Sequence, residues 1–427
     1  MIDWNILVSQ IATVAFDIVY FGAIISTIVV IILDNRNPVK TMAWILILLF
    51  LPIVGLVFYF FFGRSQRRER IIGQKSYDRL LKKPMAEYMA QDCSDVPEEY
   101  ARLIQLFQHT NQAFPFEGNR IAVYTEGYTK LQSLLRELQK AKQHIHIEYY
   151  IFEDDAIGRL VRDVLIEKAS QGVEVRVIYD DVGCWHVPNR FFEEMRNAGI
   201  EVRSFLKVRF PLFTSRVNYR NHRKIVVIDG RIGFVGGMNL AERYMRGFSW
   251  GIWRDTHILI EGKAVHGLQT AFLLDWYFVD RTLITASRYF PKIESCGSSL
   301  VQVVTSEPIG PWKEIMQGLT MAINGAKKYF YMQTPYFLPT EQVLAAMQTA
   351  ALAGDVRLML PERADNRITH LGSHSYLADV MQAGVKVYFY KKGFLHSKLM
   401  VSDDMLSTVG STNVDFRSFE HNFEVNA

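Results

Sequence analysis

The stretch that decides the fold is Asn221–Asn239, "NHRKIVVIDGRIGFVGGMN". Its run Ile225–Ile228 reads as a buried strand, yet His222 and Lys224 stand at its mouth. In a strand, residues i and i+2 share a face, so the two titratable side chains project together. Asp229-Gly230 reads as a two-residue hairpin turn at the far end. Gly236-Gly237 would let backbone approach a ligand closely. Asn239 would then cap the next helix or offer its amide to that ligand.

The stretch has a twin. His222, Lys224, Asp229, Gly236 and Asn239 recur as His396, Lys398, Asp403, Gly410 and Asn413, each displaced by 174 residues (396 − 222). The shared pattern is H-x-K-x4-D-x6-G-[GS]-x-N, with Ser411 in the place of Gly237. Flanking segments repeat too. "AKQHIHIEYYIF" (Ala141–Phe152) aligns with "AKKYFYMQTPYF" (Ala326–Phe337), and "NAGIEV" with "QAGVKV". Helix-like and strand-like segments alternate between them, which predicts helices packed over a largely parallel sheet. Two copies of one ancestral unit can face each other about a pseudo-twofold axis, so that like residues meet.

Meeting there, the copies supply two histidines, two lysines and two asparagines. Paired ammonium groups call for an anion, and phosphate suits lysine as a point charge. Two histidines can divide a displacement. One attacks phosphorus, and the other protonates the leaving oxygen and then deprotonates the incoming hydroxyl. The lysines stabilise the developing charge, so this chemistry calls for neither metal nor cofactor.

The N-terminus sets the cellular context. Met42–Phe62 is an uncharged apolar run of the length that crosses a bilayer, and an earlier run from Ile6 to Leu33 is apolar apart from Asp17. The following segment carries Arg64, Arg67, Arg68, Arg70, Lys75, Arg79, Lys82 and Lys83. Positive flanks stay in the cytoplasm, so both ends of the hairpin and the long C-terminal part are expected there. The same cluster suits anionic headgroups. Net charge is only +4, and cysteines are three and widely spaced, so neither a nucleic-acid partner nor a disulfide framework follows.

These residues resemble the phospholipase D superfamily with two HKD motifs and, more narrowly, bacterial cardiolipin synthases. The narrower likeness rests on the hairpin "RNPVKTMAWILILLFLPIVGLVFYFFFGRS", on "WRDTHILIEG" and "TPYFLPT", and on "LHSKLMVSDD" through "STNVDFRSFEHNFEVNA". The resemblance implies an α/β fold: a transmembrane helical hairpin (1–62), a basic linker (63–110) and two pseudo-symmetric α-β-α sandwich halves (111–300 and 301–427). It implies phosphatidyl transfer between two phosphatidylglycerol molecules, giving cardiolipin and glycerol through a phosphohistidine. His222 is expected as nucleophile and His396 as acid/base, with the pseudo-symmetry leaving the reverse open. Lys224, Lys398, Asn239 and Asn413 would hold phosphoryl oxygens, with Gly236, Gly237, Gly410 and Ser411 around them. Asp229 and Asp403 are counted with the catalytic set, although a turn role suits them equally. A hydrolase, another phosphatidyltransferase and a membrane scaffold remain as alternatives.

Three further expectations can be checked. His144-x-His146 reads as part of a packed strand rather than a metal pair, because its counterparts are Tyr329 and Tyr331. His370 and His374 lack a third ligand nearby. The second half stops 14 residues after Asn413, so it looks short of a strand and a helix, and an exposed apolar surface is expected where they would lie.

Overall fold

The computed structural model describes residues 4–34, 38–59, 96, 98–208 and 219–427. It divides into two compact units, one holding the N-terminal helices and one holding everything below that builds the site. The basic cluster Arg64–Lys83 lies outside the described residues.

In the first unit a 31-residue helix, Trp4–Asp34, contains the apolar span Gln10–Leu33, long enough to cross a bilayer. The second apolar run is not one uninterrupted span. It forms Pro38–Phe50 and Pro52–Phe58, divided at Leu51. Pro52 has no N–H to give and its ring crowds the preceding turn, which kinks a helix. Bonds from Leu51 N to Ile47 O (2.8 Å) and Gly55 N to Leu51 O (2.5 Å) carry the winding across the kink. Ile31, Leu48 and Tyr59 pack together with Trp44 against them.

The second unit contains two sheets of one design. The larger runs Ser299–Gln302, Pro115–Tyr124, His257–Glu261, Ile232–Gly236, Lys224–Ile228, His144–Tyr149, Glu174–Asp180, Glu201–Phe205. The smaller runs Leu406–Val409, Leu399–Ser402, Tyr329–Gln333, Asp355–Pro361, Lys386–Tyr390, the same order as the last five strands of the larger. In each sheet three neighbouring strands are parallel, the first motif strand is antiparallel to them, and the second motif strand reverses direction again. The sheets are therefore mixed rather than largely parallel. The hairpin turn inside each motif enforces this, since a tight turn reverses the chain.

Helix periodicity and strand alternation build the larger half. Leu131, Leu134 and Leu138 line one stripe of Gly127–Lys140 and pack on Ile145, Ile147, Val175 and Val177. Asp155 caps the next helix, Ala156–Ser170, accepting from Ile157 N (3.0 Å) and Gly158 N (2.9 Å), a contact worth about 1 kcal/mol. The alternate strand residues face helix Val265–Asp280. There His144 and His146 bond Gln269 at 3.0 and 2.8 Å, so the pair belongs to a buried polar layer, as the strand reading expects. In the predicted linker the structure has a helix, Glu98–Asn111.

The smaller sheet ends on Leu406–Val409, and at its last residue Val409 exchanges backbone hydrogen bonds with Ala427 (2.9 Å each way). An apolar groove of about 570 Å³ runs along it, lined by Leu300, Ile315, Phe330, Met400, Leu406 and Ala427 among others.

Candidate active site

Each motif strand runs from a buried site to an exposed turn. At the turn end, Asp229 and Gly230, and likewise Asp403 and Asp404, have positive φ. The Asp229 carboxylate accepts from the backbone N–H groups of Lys142 (2.8 Å), Gln143 (2.8 Å) and His144 (2.9 Å). Asp403 repeats this with Lys327 (2.7 Å), Lys328 (2.9 Å) and Tyr329 (2.9 Å). Both aspartates thus pin the entry to a neighbouring strand, a whole strand length from the histidines. These contacts suit the turn role that the sequence reading allowed for both aspartates.

At the other end the halves interlock. The strand before each motif pairs in parallel with the strand after the other motif. Gly393–Leu395 lies on Ile252–Arg254, and Arg220–Asn221 on Asn422–Asn426. The histidines continue the ladders: His396 N donates to Arg254 O (2.7 Å) and His222 N to Phe423 O (2.9 Å). This delivers a carboxylate from each half to the histidine of the other. Glu424 takes His222 Nδ1 at 3.1 Å, and Asp255 takes His396 Nδ1 at 2.7 Å. A carboxylate only accepts, so each Nδ1 carries its proton and each Nε2 is left as the reactive nitrogen.

The lysines lie under the histidines, fully buried. Lys224 Nζ donates to the His222 backbone oxygen (2.5 Å) and sits 5.4 Å from the Tyr150 ring centroid. Lys398 Nζ lies 2.8 Å from Nδ1 and 3.1 Å from Nε2 of His396. Burial disfavours the ammonium and lowers Lys224 to about 7 and Lys398 to about 8, against the pull of Glu424 and Asp255. Burial also lowers both imidazoles, His396 to about 3 with Lys398 pushing the same way. Burial opposes ionisation of Asp255 and Glu424, but their cationic neighbours overcome it and hold both carboxyls below the usual range. The ligand-free site thus combines neutral imidazoles, ionised carboxylates and lysines close to losing their protons. An arriving phosphodiester anion would drive those lysines back to the charged form.

The asparagines differ. Asn239 is committed: Oδ1 accepts from Ile151 N (3.1 Å), and Nδ2 donates to Tyr244 OH (2.5 Å). Asn413 is buried, and its Oδ1 has no partner among the described residues. Gly236, Gly237 and Gly410 serve close packing rather than an open ligand cradle. A Cβ on Gly237 would lie 2.1 Å from Asp255 Oδ1, and one on Gly410 2.0 Å from Asn426 Oδ1. Ser411 instead donates to Glu424 Oε2. These four shape the carboxylate side of the site.

Sequence reading missed Asp255 and Glu424. A signal was present, since each acid follows an aromatic (Trp253-Arg-Asp, Phe423-Glu) in corresponding segments after the two motifs. Tyr150 was missed as well; its ring meets His222 edge-on at 5.1 Å. His370 and His374 lie side by side on helix Arg367–Ser375 (centroids 4.2 Å) with no metal-binding cluster among the described residues.

Comparison with known proteins agrees with this geometry. Residues 134–275 and 319–427 match the family described as "Cardiolipin synthase, PLD-like domain", and residues 22–64 match "Phospholipase_D-nuclease N-terminal". A cardiolipin synthase of Geobacillus kaustophilus is 42% identical over 419 residues, covering 96% of this chain and 84% of the relative. The major cardiolipin synthase of Bacillus subtilis is 37% identical over 431 residues, covering 98% and 89%. Among solved structures, the phosphatidylserine synthase of Haemophilus influenzae superposes with a TM-score of 0.56 over 77% of this chain and 86% of that one. At 14% identity that match speaks for the fold alone. With both halves of the chain matched and relatives near 40% identity across almost all of it, the chain belongs to the phospholipase D-like cardiolipin synthase family.

Proposed function

We propose that this protein condenses two phosphatidylglycerol molecules into cardiolipin and free glycerol by way of a phosphatidyl-histidine. His222 Nε2 attacks phosphorus, and a P–N bond forms as the P–O bond to the leaving glycerol breaks. Lys398 passes a proton to His396 Nε2, 3.1 Å away, and His396 gives it to that oxygen. The headgroup hydroxyl of a second phosphatidylglycerol then attacks phosphorus and passes its proton to His396, and the P–N bond breaks. One phosphodiester is exchanged for another, so no nucleotide is consumed. Lys224, Lys398 and the uncommitted Asn413 amide hold the non-bridging oxygens, where added charge is stabilised most.

The observation that carries this reading is the crossed pairing of His222 with Glu424 and His396 with Asp255. The order of roles rests on a difference between the two imidazoles. His222 Nε2 accepts no hydrogen bond among the described residues, as a nucleophile requires. His396 Nε2 lies 3.1 Å from Lys398 Nζ, a partner with which to exchange a proton.

The apolar helix Gln10–Leu33 fits membrane association. The reading adds a second pass through Pro38–Phe58 and, from the basic flank Arg64–Lys83, a cytoplasmic catalytic part. The test is full-length protein in phosphatidylglycerol vesicles, with chelator and without nucleotide. Cardiolipin and glycerol in equal amounts support it. Phosphatidic acid alone would mean that water is the acceptor, and a requirement for divalent metal would overturn the mechanism.

A further inference from the structure

Two loops at the histidine end of the sheets carry exposed apolar side chains that neither core uses. The first follows strand Glu174–Asp180. It is folded back by Cys184 N on Asp180 O (3.0 Å), and Gly183 packs against the backbone of Tyr150, whose ring touches His222. Its tip is Trp185, 57% exposed. The second follows the corresponding strand, Asp355–Pro361, and leads into helix Arg367–Ser375.

That helix has a well-fixed inner face. Asn366 caps it, accepting from Ile368 N (2.8 Å), and Ser373 Oγ accepts from Phe337 N (2.9 Å). Its outer face is apolar at helical spacing: Ile368 is 81% exposed and Leu371 70%. His374, one turn on, stacks on Phe389 (5.4 Å). The foot of the helix is tied to the site. Asp365 accepts from Tyr336 OH (2.8 and 2.9 Å), and the Tyr336 ring lies 6.4 Å from that of His396. Each histidine thus has an exposed apolar group one loop away.

The surroundings are basic. Arg363 lies over the Trp250 ring (5.9 Å), Arg367 opens the helix, and Lys391 and Lys392 follow the neighbouring strand. The two acids beside them are engaged, Asp365 by Tyr336 and Glu362 by Lys391 at 3.8 Å. Exposed aliphatic side chains beside cations match the boundary of an anionic bilayer, where apolar groups enter the acyl region and cations meet headgroups, and an exposed indole suits the same boundary.

We infer that the rim formed by Ile368 and Leu371, with Trp185 across the site, inserts into an anionic lipid surface and so presents the histidines to membrane-borne substrate. The inference rests on the lipid-transfer reading above, and its test keeps the two apart. An environment-sensitive fluorophore on Leu371→Cys, in full chain reconstituted into phosphatidylglycerol vesicles, is expected to shift to the blue and to be quenched by nitroxide on lipid. Labelled unsubstituted protein supplies the background from native cysteines. An aqueous probe signal in those vesicles would overturn the inference. So would a blue shift in detergent that grows with protein concentration, because a second copy would then be the occupant.

A second variant reads function. Ile368→Glu with Leu371→Glu should lower turnover of vesicle phosphatidylglycerol at least about fivefold, while leaving dibutanoyl phosphatidylglycerol in detergent unaffected. Equal loss on both substrates, or loss on neither, overturns the inference. If unsubstituted protein turns over neither lipid, the transfer reading has failed, and the probe measurement still decides whether the rim inserts.

Discussion

The two motif strands begin alike and are secured differently. Between His222 and Lys224, Arg223 turns to the opposite face and forms a buried ion pair with Asp275, while its Nε donates to Glu424 O (3.1 Å). Between His396 and Lys398 stands Ser397, held by Thr256 Oγ1 (2.9 Å). The first histidine has a long carboxylate steadied by Ser411, and the second a shorter one against Gly237. The first asparagine is spent on Ile151 and Tyr244, and the second is not. A duplicated unit can keep its ladder and turn while the residues at its strand ends diverge, because the ladder and the turn do not depend on those residues.

If the duties differ, leaving-group chemistry should separate them. On phosphatidylglycerol, His222→Ala and His396→Ala should each lose about 10³-fold or more in turnover. With a p-nitrophenyl phosphatidyl ester, whose leaving group needs no proton, formation of the enzyme intermediate should recover in His396→Ala but not in His222→Ala. Recovery in the opposite variant would reverse the assignment. The carboxylates should follow their histidines with losses of about 10²-fold. Asp255→Asn should be relieved by the activated ester, and Glu424→Gln should not. Equal behaviour of the two would erase the distinction drawn between the halves.

The asparagines give a smaller contrast. Asn413→Ala should lower turnover by about tenfold with little change in Tm. Asn239→Ala strands two buried partners and should cost about 1–3 kcal/mol of stability. Loss of activity without loss of stability in Asn239→Ala would show that it, too, faces substrate.

Both halves share the lysine effect. Between about 7 and the ordinary lysine value the unfolded chain binds more protons than the folded one, so ligand-free stability should rise with pH in that window. Anion binding reverses the shift. Calorimetry with inorganic phosphate at pH 8, in buffers of different ionisation enthalpy, should therefore show proton uptake, with affinity falling as pH rises above about 8. Proton release on binding would contradict the buried-lysine account. The smallest effect on chemistry belongs to the turns. Asp229→Ala and Asp403→Ala should each lower stability by about 1–3 kcal/mol while turnover per folded molecule is unchanged.

Much of this was legible in the sequence, and the reason is local. The histidine–lysine face, the turn and the repeat depend on spacings within about twenty residues, where strand geometry fixes direction. The crossed carboxylates were not legible, because Glu424 meets His222 across 202 positions and Asp255 meets His396 across 141. Such contacts follow from how two sheets interlock. The aspartates recur with the motif as strictly as the histidines do, and the turn conformation with its three N–H partners is a local reason for them to do so.

The most direct test traps the intermediate. His396→Ala protein would be mixed with radiolabelled p-nitrophenyl phosphatidyl ester, quenched in alkali, digested and mapped by mass spectrometry. The account predicts one acid-labile phosphatidyl group, on the peptide carrying His222. Release of p-nitrophenol with no covalent label, or label anywhere other than His222, would contradict it.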